Sequence, residues 1–300
     1  MARLVSRTMQ LKERMNNEIT LRLMQQTDLA FADSLRSLAG WNQTLGDWKR
    51  FLAFSPQGCF LAEYGGAPAG TVTTMCYGKE LAWIGMLLVH PDARGRGIGC
   101  ALLARCVEHL RAIGIACIKL DATPQGKALY DQFGFEEEWS LTRWETRAFT
   151  LVKTESEHDV HPYAPPDQRA IEQLDGTAFG VSRETLLEDL LRTGCPTLVH
   201  KKNGVLGGYG VIREGARAHY LGPLVAPETH SAAILATTLL SGVAGKAVYW
   251  DIPDLNTESI GLATALGFTR QRALARMFLG RNNTPGSPPH YFAIADPALG

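Results

Sequence analysis

The feature that most constrains the fold of this chain is an internal repeat with a long period. The segment Val89–Pro91 ends a mostly apolar stretch, and Val225–Pro227 ends a similar stretch 136 residues later. The pair Gly134-Phe135 recurs as Gly267-Phe268 after 133 residues. A near-constant offset across several elements predicts duplication of a whole domain and not a short solenoid unit. A chain of 300 residues has room for two such domains.

The two copies show the same order of predicted elements. Alternating or continuous apolar runs indicate strands, and one-sided apolar spacing indicates helices. In the first copy the predicted elements are a strand at 19–24, helices near 28–35 and 47–54, a hairpin over 59–76, a strand at 81–89, a helix at 98–111, a strand at 116–120 and a helix at 127–133. In the second copy the hairpin recurs at 197–212 and the two strands recur at 218–225 and 247–250.

This order predicts a mixed α/β fold in two tandem domains. The predicted boundaries are an extension at 1–18, a first domain at 19–152, a linker at 153–167 and a second domain at 168–300. The linker assignment depends on its two proline pairs, His161-Pro162 and Pro165-Pro166, since such dipeptides mark turns and loops.

Composition and charge give no support for several classes of function. Lys+Arg and Asp+Glu number 30 each, so the zero net charge gives no support for nucleic-acid or membrane-surface binding. No apolar run approaches the ~18 residues of a membrane span, and the first residues lack the apolar core of a signal peptide. The 6 cysteines form no CxxC pair, and the histidines are dispersed, so we expect no metal site. A reducing, cytoplasmic setting fits best.

The segment that carries chemistry is Arg94-Gly95-Arg96-Gly97-Ile98-Gly99. It follows an apolar strand and opens a helix. Glycines allow tight turns and close approach of a ligand to backbone N–H groups, and a helix start favours anions. A dinucleotide-binding fold also puts glycines between strand and helix, but with Gly-x-Gly-x-x-Gly spacing and without a preceding hairpin. The segment therefore predicts a pyrophosphate-binding loop of another kind.

The whole pattern resembles the GNAT acetyltransferases: strand, Val-x-Pro, Arg-Gly-x-Gly-x-Gly, helix, strand, then Leu129-Tyr130 and Gly134-Phe135. The resemblance covers about residues 19–144. It implies a bent mixed sheet in which two central parallel strands splay apart, with the pantetheine arm of acetyl-CoA in the gap. The co-substrate implied is acetyl-CoA.

By position, the resemblance implies roles for particular residues. The backbone groups of Leu87 and Val89 would contact the pantetheine, and Tyr130 would lie near the coenzyme sulfur, where a phenol can protonate the leaving thiolate. The family often has an asparagine seven residues before that tyrosine, and Thr123 stands there instead. The pyrophosphate loop would consist of Arg94, Gly95, Arg96, Gly97, Ile98 and Gly99.

The second copy lacks this loop. After Pro227 the chain reads Glu228-Thr-His-Ser-Ala-Ala-Ile234, without glycine or arginine. Ala263 stands at the tyrosine position, although Asn256 stands at the asparagine position. We interpret the second copy as a degenerate, non-catalytic domain.

Residues for the acceptor are less well defined by sequence. Asp121, at the end of a buried strand, is the first candidate for base or amine anchor, and a turn-forming role is equally compatible. Trp41, Asn42 and Gln43 lie between the first two helices, where this fold closes over the acceptor, although a core tryptophan also fits. Tyr209 and Asp251 of the second copy are candidates for the same cleft, with a capping role as the alternative for Asp251.

The sequence thus predicts an N-acetyltransferase. Its acceptor would be the primary amine of a small molecule, and this amine would attack acetyl-CoA directly. No cysteine lies beside a histidine in the motif region to suggest a covalent intermediate. Two other hypotheses stay open, a non-catalytic acetyl-CoA sensor and a protein or peptide N-acetyltransferase. A homodimer is compatible with these features.

Overall fold

The computed structural model describes residues 18–150 and 159–300. The predicted extension, except its last residue, and residues 153–158 of the predicted linker lie outside them. The strands are β1 Ile19–Leu23, β2 Phe60–Tyr64, β3 Ala67–Tyr77, β4 Leu81–Val89, β5 Cys117–Ala122, β6 Glu136–Thr146, β7 Val160–Pro162, β8 Thr197–Lys202, β9 Val205–Arg213, β10 His219–Val225, β11 Val248–Pro253, β12 Thr269–Gly280 and β13 Tyr291–Ala293. The helices are α1 Leu29–Leu38, α2 Leu45–Phe54, α3 Ile98–Ala112, α4 Pro124–Gln132, α5 Gln168–Phe179, α6 Glu184–Arg192, α7 Thr229–Ser241 and α8 Thr257–Ala265.

The mixed α/β fold predicted from sequence is confirmed, and β4 has the predicted bounds. Helix α2 begins two residues before the predicted Asp47, because Thr44 and Asp47 form a capping box. The Asp47 carboxylate accepts a hydrogen bond from the Thr44 N–H at 2.7 Å. Residues 160–162, which were assigned to the linker, form β7 and pair antiparallel with β8. Pro162 is tolerated there because β7 is an edge strand.

The described residues form two compact units. The first comprises the residues up to Cys76 together with Ile84–Ile115. Its strands follow the order β1-β2-β3-β4, and the pairings of β1 with β2 and of β2 with β3 are antiparallel. Helix α3 packs on β2 and β1 through an apolar face that includes Leu102, Leu103 and Cys106, all fully buried.

The second unit comprises Tyr77–Trp83 and Ala116–Gly300. Its strand order begins with the first residues of β4 and continues β5-β12-β6-β11-β10-β9-β8-β7, with β13 on β10. The pairings of β4 with β5 and of β10 with β11 are parallel, and β12 and β6 between them are antiparallel to their neighbours. The order is therefore symmetric about the contact between β12 and β6.

This symmetry reflects an exchange of strands between the two sequence repeats. Strand β12 ends the second repeat but pairs with β5 of the first, and β6 ends the first repeat but pairs with β11 of the second. The predicted domains 19–152 and 168–300 describe the repeat in sequence, whereas the compact units divide the chain elsewhere.

Candidate active site

The glycine-rich segment Arg94–Gly99 lies in the first unit, where it follows a 3₁₀ turn and includes the first two residues of α3. Gly97 immediately precedes α3 with a left-handed backbone, φ +81°. Other residues adopt this conformation only with strain, and glycine has no side chain that could cap the helix. The first N–H groups of a 15-residue helix thus have no partner within the helix. Such a helix start attracts anions.

The space in front of this loop is open. A Cβ built on Gly95 or Gly97 would meet no atom within 4 Å. Ile98, which follows, is fully buried and anchors the start of α3 in the core. A phosphate-sized group therefore fits against the backbone of the loop, and the residues present suit the pyrophosphate of acetyl-CoA.

Two arginines flank the loop and are exposed. The Nε group of Arg94 donates to the Val89 carbonyl oxygen at 3.3 Å. Arg96 donates to the Tyr64 hydroxyl at 2.9 Å, and its guanidinium lies 4.7 Å from the centre of the Tyr64 ring. Both cations thus stay beside the helix start without an acidic partner in these contacts. Tyr64, which holds Arg96, was missed by the sequence reasoning, because nothing in a lone strand-end tyrosine indicates its partner.

Strand β4 carries the residues predicted to contact the pantetheine. Gly85, Leu87 and Val89 are half-buried, and they alternate with buried neighbours. Met86, between them, has φ +51°, which is strained for a residue with a long side chain. The Met86 carbonyl oxygen accepts a hydrogen bond from the Thr71 hydroxyl at 3.0 Å, which helps to hold this conformation. Backbone strain of this kind concentrates at functional sites.

Tyr130 lies on α4 and Thr123 immediately precedes that helix, both in the second unit. The Thr123 hydroxyl caps the helix by accepting a hydrogen bond from the Gly126 N–H at 3.2 Å. The Tyr130 side chain is largely buried, and its ring meets Phe135 edge to face at 5.9 Å. The predicted roles of these residues toward the coenzyme stay predictions.

Asp121 follows the buried part of β5 and is held in an ion pair. Arg276, its neighbour on β12, donates to both carboxylate oxygens at 2.9 Å. Burial raises the pKa of Asp121 above its usual value, and the charge of Arg276 offsets only part of that effect. The Asp121 carboxylate, for which a role as base or amine anchor is predicted, is thus already bound by the Arg276 guanidinium.

Asp251 occupies the matching position on β11. Arg143 of β6 donates to its two oxygens at 2.8 and 2.6 Å, and the Tyr220 hydroxyl donates at 3.0 Å. Burial alone would raise the pKa of Asp251, but Arg143, Arg272 and the Tyr220 hydroxyl bring it below the usual value. Each exchanged strand therefore contributes an arginine to a buried Asp–Arg pair that joins the two repeats, and we call these two the crossed ion pairs. The sequence signal was an aspartate and an arginine at equivalent places in both repeats.

Tyr209 belongs to a third buried network. Its hydroxyl donates to Asp175, which also accepts two hydrogen bonds from Arg183, at 2.7 and 2.9 Å. Burial and the nearby Asp175 charge raise the pKa of Tyr209 well above its usual range. The structure thus places Tyr209 and Asp251 in separate internal networks.

The segment Trp41–Gln43 lies in the first unit, between α1 and α2. Asn42 and Gln43 are buried, and Trp41 is half-buried. The Trp41 carbonyl oxygen accepts a hydrogen bond from Arg36 at 3.1 Å. The fully buried tryptophan of this region is Trp48. The exposure of Trp41 agrees with the predicted contact with an acceptor, which stays a prediction.

The second repeat differs because the chain itself covers its central strand. We call residues 287–300 the covering segment. Its strand β13 pairs antiparallel with β10, and the Ile294 N–H donates to the Asp251 carbonyl oxygen on β11 at 3.1 Å. Gly222 of β10 has φ +151°, and a Cβ there would lie 2.1 Å from the Ile294 carbonyl oxygen. Glycine is thus needed at this close approach.

Asn256 fastens the covering segment. Its side-chain oxygen caps α8 by accepting from the Ser259 N–H at 2.9 Å. Its amide group donates to the carbonyl oxygens of Pro289 and Tyr291, each at 3.0 Å. The asparagine that the resemblance assigns to a coenzyme therefore binds the chain's own backbone in this repeat. Sequence reasoning missed the covering segment, which has no counterpart among the described residues of the first repeat.

Two further observations bear on ligands and membranes. Among the described residues, the carboxylates of Glu172, Glu184 and Glu188 approach one another within 4.8 Å, and exposed acidic groups often do so without a metal. In the same part of the chain, every helix is too short or too polar to cross a membrane.

With this geometry established, two segments of the chain match the acetyltransferase (GNAT) domain family. One match covers residues 55–137, with the glycine-rich loop, and the other covers 171–293. The protein is an acyltransferase of the GNAT superfamily. More particularly, it belongs to the tandem members, which carry two such domains in one chain. The family predicted from sequence is confirmed, and GNAT domains generally use acetyl-CoA as acyl donor.

Similar proteins agree with this assignment. The uncharacterized N-acetyltransferase YitH of Bacillus subtilis (strain 168) is 25% identical over 74% of this chain and 77% of its own length. The holothin acyltransferase of Pseudoalteromonas sp. (strain SANK 73390) is 27% identical over 87% of each chain. A crystal structure from Pyrococcus horikoshii, assigned as an acetyltransferase, has a TM-score of 0.81 at 25% identity and covers 94% of this chain and 96% of its own.

A tandem GNAT protein from the clavulanic acid biosynthesis pathway has a TM-score of 0.65 at 17% identity, with 87% of this chain and 98% of its own covered. At that identity the likeness concerns the fold alone.

Proposed function

We propose that the protein transfers an acetyl group from acetyl-CoA to the primary amine of a small molecule, and that the first repeat alone binds the coenzyme. The observation that carries the proposal is the difference between the repeats. The first has an open glycine loop before α3 and a half-exposed β4, whereas the covering segment lies on β10 of the second. A small acceptor agrees with the similarity to holothin acyltransferase over most of both chains.

The reaction forms one C–N bond and breaks the C–S bond of the thioester. The amine nitrogen attacks the carbonyl carbon, loses a proton, and the sulfur leaves as a thiolate that takes up a proton. The loop backbone from Gly95 to Gly99 would hold the pyrophosphate, and Tyr130 would supply the proton to the sulfur. Bound coenzyme supplies the activated acyl group, and the protein contributes binding, orientation and proton transfer.

The proposal is tested by the release of free thiol from acetyl-CoA in the presence of a library of amines. We expect saturable release with one class of small amine and a calorimetric stoichiometry near one coenzyme per chain. Two equivalent coenzyme sites would contradict the asymmetry of the repeats.

Tight binding without turnover on any amine or peptide would favour the sensor hypothesis, and turnover on peptides alone would favour a protein N-acetyltransferase. The free thiols of the described cysteines agree with the proposed cytoplasmic location.

A further inference from the structure

Strand β4 changes character partway along its length. Its pairing with β5 covers Leu81–Trp83, and beyond Ile84 half-buried residues alternate with buried ones. Met86 lies in this second part, with φ +51°. Among the described residues, the other non-glycine residue with a positive φ is Asn203, in the Asn-Gly turn between β8 and β9, where asparagine is common. The left-handed backbone of Met86, inside a strand, therefore needs contacts that hold it.

A buried hydroxyl contacts Met86 from the neighbouring strand. Thr71 on β3 is fully buried, and its hydroxyl donates to the Met86 carbonyl oxygen at 3.0 Å. A trans peptide group is planar, so the N–H of Leu87 points in the direction opposite to this carbonyl. The Leu88 carbonyl oxygen lies on the β3 side, since it would be 2.9 Å from a Cβ built on Gly70. Successive residues of a strand direct their backbone groups to opposite sides, so the N–H of Leu87 points away from β3.

The second repeat lacks this contact. Strand β9, which pairs with β10, contains neither serine nor threonine. At the offset of 136 residues between the Val-x-Pro segments, the place of Met86 is taken by Gly222, with φ +151°. There the Ile294 carbonyl oxygen of the covering segment occupies the space of a side chain. The hydroxyl thus occurs in the repeat that has the glycine loop.

We propose that Thr71 is a positioning residue for the coenzyme. Its hydroxyl fixes the peptide between Met86 and Leu87, and the N–H of Leu87 is thereby directed at a carbonyl oxygen of the acyl-pantetheine arm. The family resemblance implies that the Leu87 backbone contacts this arm, and the structure adds the side chain that sets the direction of the contact. The inference rests on the proposed acyl transfer and deepens it.

The carbonyl oxygen has two sources in the arm. If it belongs to the thioester, a fixed N–H donor stabilises the negative charge that develops there in the transition state. If it belongs to an amide of the pantetheine, the same donor contributes to binding and not to the chemical step. Both need the N–H of Leu87 to be held in one direction, and kinetics separate them.

The test compares three variants of the full chain. Thr71→Val removes the hydroxyl and keeps the shape of the side chain, whereas Thr71→Ser keeps the hydroxyl and removes a buried methyl group. Thr74→Val is the matched control, because Thr74 is also fully buried on β3 and its hydroxyl donates to a backbone carbonyl, that of Gly58, at 3.0 Å. Gly58 precedes β2, which is not a neighbour of β4. Urea denaturation should show lower stability in all three variants.

Activity should not follow stability in this series. From thiol release, we expect kcat/KM for acetyl-CoA to fall at least about tenfold in Thr71→Val and to stay within about threefold of wild type in Thr71→Ser and Thr74→Val. A lower kcat with unchanged KM would assign the thioester carbonyl. A higher Kd for both acetyl-CoA and CoA, measured by calorimetry, would assign a pantetheine amide.

The direction of the peptide is also measured without turnover. In protein prepared with ¹⁵N-labelled leucine, acetyl-CoA without an acceptor amine should shift the amide signal of Leu87. We expect the same shift in wild type, Thr71→Ser and Thr74→Val, and a smaller one in Thr71→Val, because a hydrogen bond to the N–H changes its signal.

The outcomes separate this inference from the proposed function. Equal kcat/KM and equal Leu87 shifts in Thr71→Val and Thr74→Val would overturn the positioning role while acyl transfer stands. A loss in Thr71→Ser as large as in Thr71→Val would also overturn it, since the hydroxyl would then not matter. If the wild type binds acetyl-CoA without turnover, the Leu87 signal decides between these results. A wild type that neither binds acetyl-CoA nor releases thiol would overturn both the inference and the proposed function.

Discussion

Strands β4 and β10 occupy the same place in the two repeats, yet their surroundings differ. On β4, Gly85, Leu87 and Val89 are half-buried, whereas β10 is fully buried from Tyr220 to Val225. The cover on β10 is the chain's own segment, which pairs with it and reaches β11. A sheet that opens between two central strands leaves backbone groups that need partners. In the second repeat the covering segment supplies such partners, and the proposed coenzyme would supply them along β4 in the first.

The helices that follow these two strands also begin differently, again in a way that favours a ligand only in the first repeat. Helix α3 begins after Gly97, with open space in front of the loop, whereas α7 begins after Glu228 in an extended conformation. A carboxylate at that place would repel a phosphate, and no glycine follows it before Ile234. The two repeats thus share a fold and differ in electrostatics where the coenzyme would bind.

The largest expected effect concerns the crossed ion pairs, Asp251–Arg143 and Asp121–Arg276, which are common to both repeats. Asp251→Ala leaves Arg143 buried without its carboxylate, and we expect a loss of about 3–5 kcal/mol in the free energy of unfolding. Asp121→Ala should cost less, because burial raises the pKa of Asp121 whereas the pKa of Asp251 is lowered. Urea denaturation measures both. As control, the double variant Asp251→Leu with Arg143→Met should recover most of the loss, and losses below about 1 kcal/mol would contradict the burial of these charges.

The next effect distinguishes the two ends of α3. Gly97→Val places a side chain where the phosphate would lie and strains a left-handed backbone, so we expect acetyl-CoA affinity to fall at least about 100-fold. Gly114→Val is the matched control, because Gly114 has φ +80° and also meets no atom within 4 Å, but lies after the helix. Calorimetry measures the affinity of both folded variants for acetyl-CoA. Equal affinities would show that Gly97 is not at the pyrophosphate site.

Much of the fold followed from local patterns, since apolar runs, glycines and prolines set the bounds of elements such as β4 and α3. The exchange of β6 and β12 could not be predicted, because the two strands hold equivalent places in the repeats. Either can satisfy the edge of β5 or of β11 with the same hydrogen-bond pattern, so only tertiary packing selects the partner. The remaining signal was that Arg143 and Arg276 hold equivalent places in β6 and β12, as Asp121 and Asp251 do in β5 and β11.

The candidate site was predictable in its loop and less so in its acceptor residues. The loop binds through backbone, and its glycines are visible in sequence as residues that permit the required angles. Side chains such as Asp121 and Tyr209 depend on partners far away in the chain, Arg276 and Asp175. A carboxylate at a strand end looks the same in sequence whether it faces a ligand or an arginine.

A smaller effect concerns proton transfer by Tyr130 in the first repeat. The equivalent position of the second repeat holds Ala263. Tyr130→Phe keeps the ring and its contact with Phe135 but removes the hydroxyl. We expect kcat to fall about 100-fold, the low end for general acid catalysis, because thiolates leave readily, with KM for acetyl-CoA little changed. Steady-state kinetics on the acceptor provide the measurement. An unchanged kcat would leave Tyr130 as a packing residue or a coenzyme contact.

The smallest effect compares the two residues that cap the equivalent helices α4 and α8. Thr123 caps α4 with its hydroxyl, and Asn256 caps α8 with its side-chain oxygen while its amide group donates to Pro289 and Tyr291. Asn256→Thr keeps a capping oxygen and removes the two donors, so it makes the second repeat resemble the first. We expect a loss of about 1–2 kcal/mol in the free energy of unfolding, since each neutral hydrogen bond contributes about 0.5–1.5 kcal/mol.

The matched change is Thr123→Ser, which keeps the cap of α4 and should cost little, within about 0.5 kcal/mol. Hydrogen exchange of the Ile294 N–H adds a local measure, because this group donates to β11 from within the covering segment. We expect its protection to fall in Asn256→Thr and to stay unchanged in Thr123→Ser. Unchanged protection in both variants would show that Asn256 does not fasten the covering segment. The cover on β10 would then be held by its strand pairing and its other hydrogen bonds, such as those from Trp250 and Ser259 to the Phe292 carbonyl oxygen, without a contribution from Asn256.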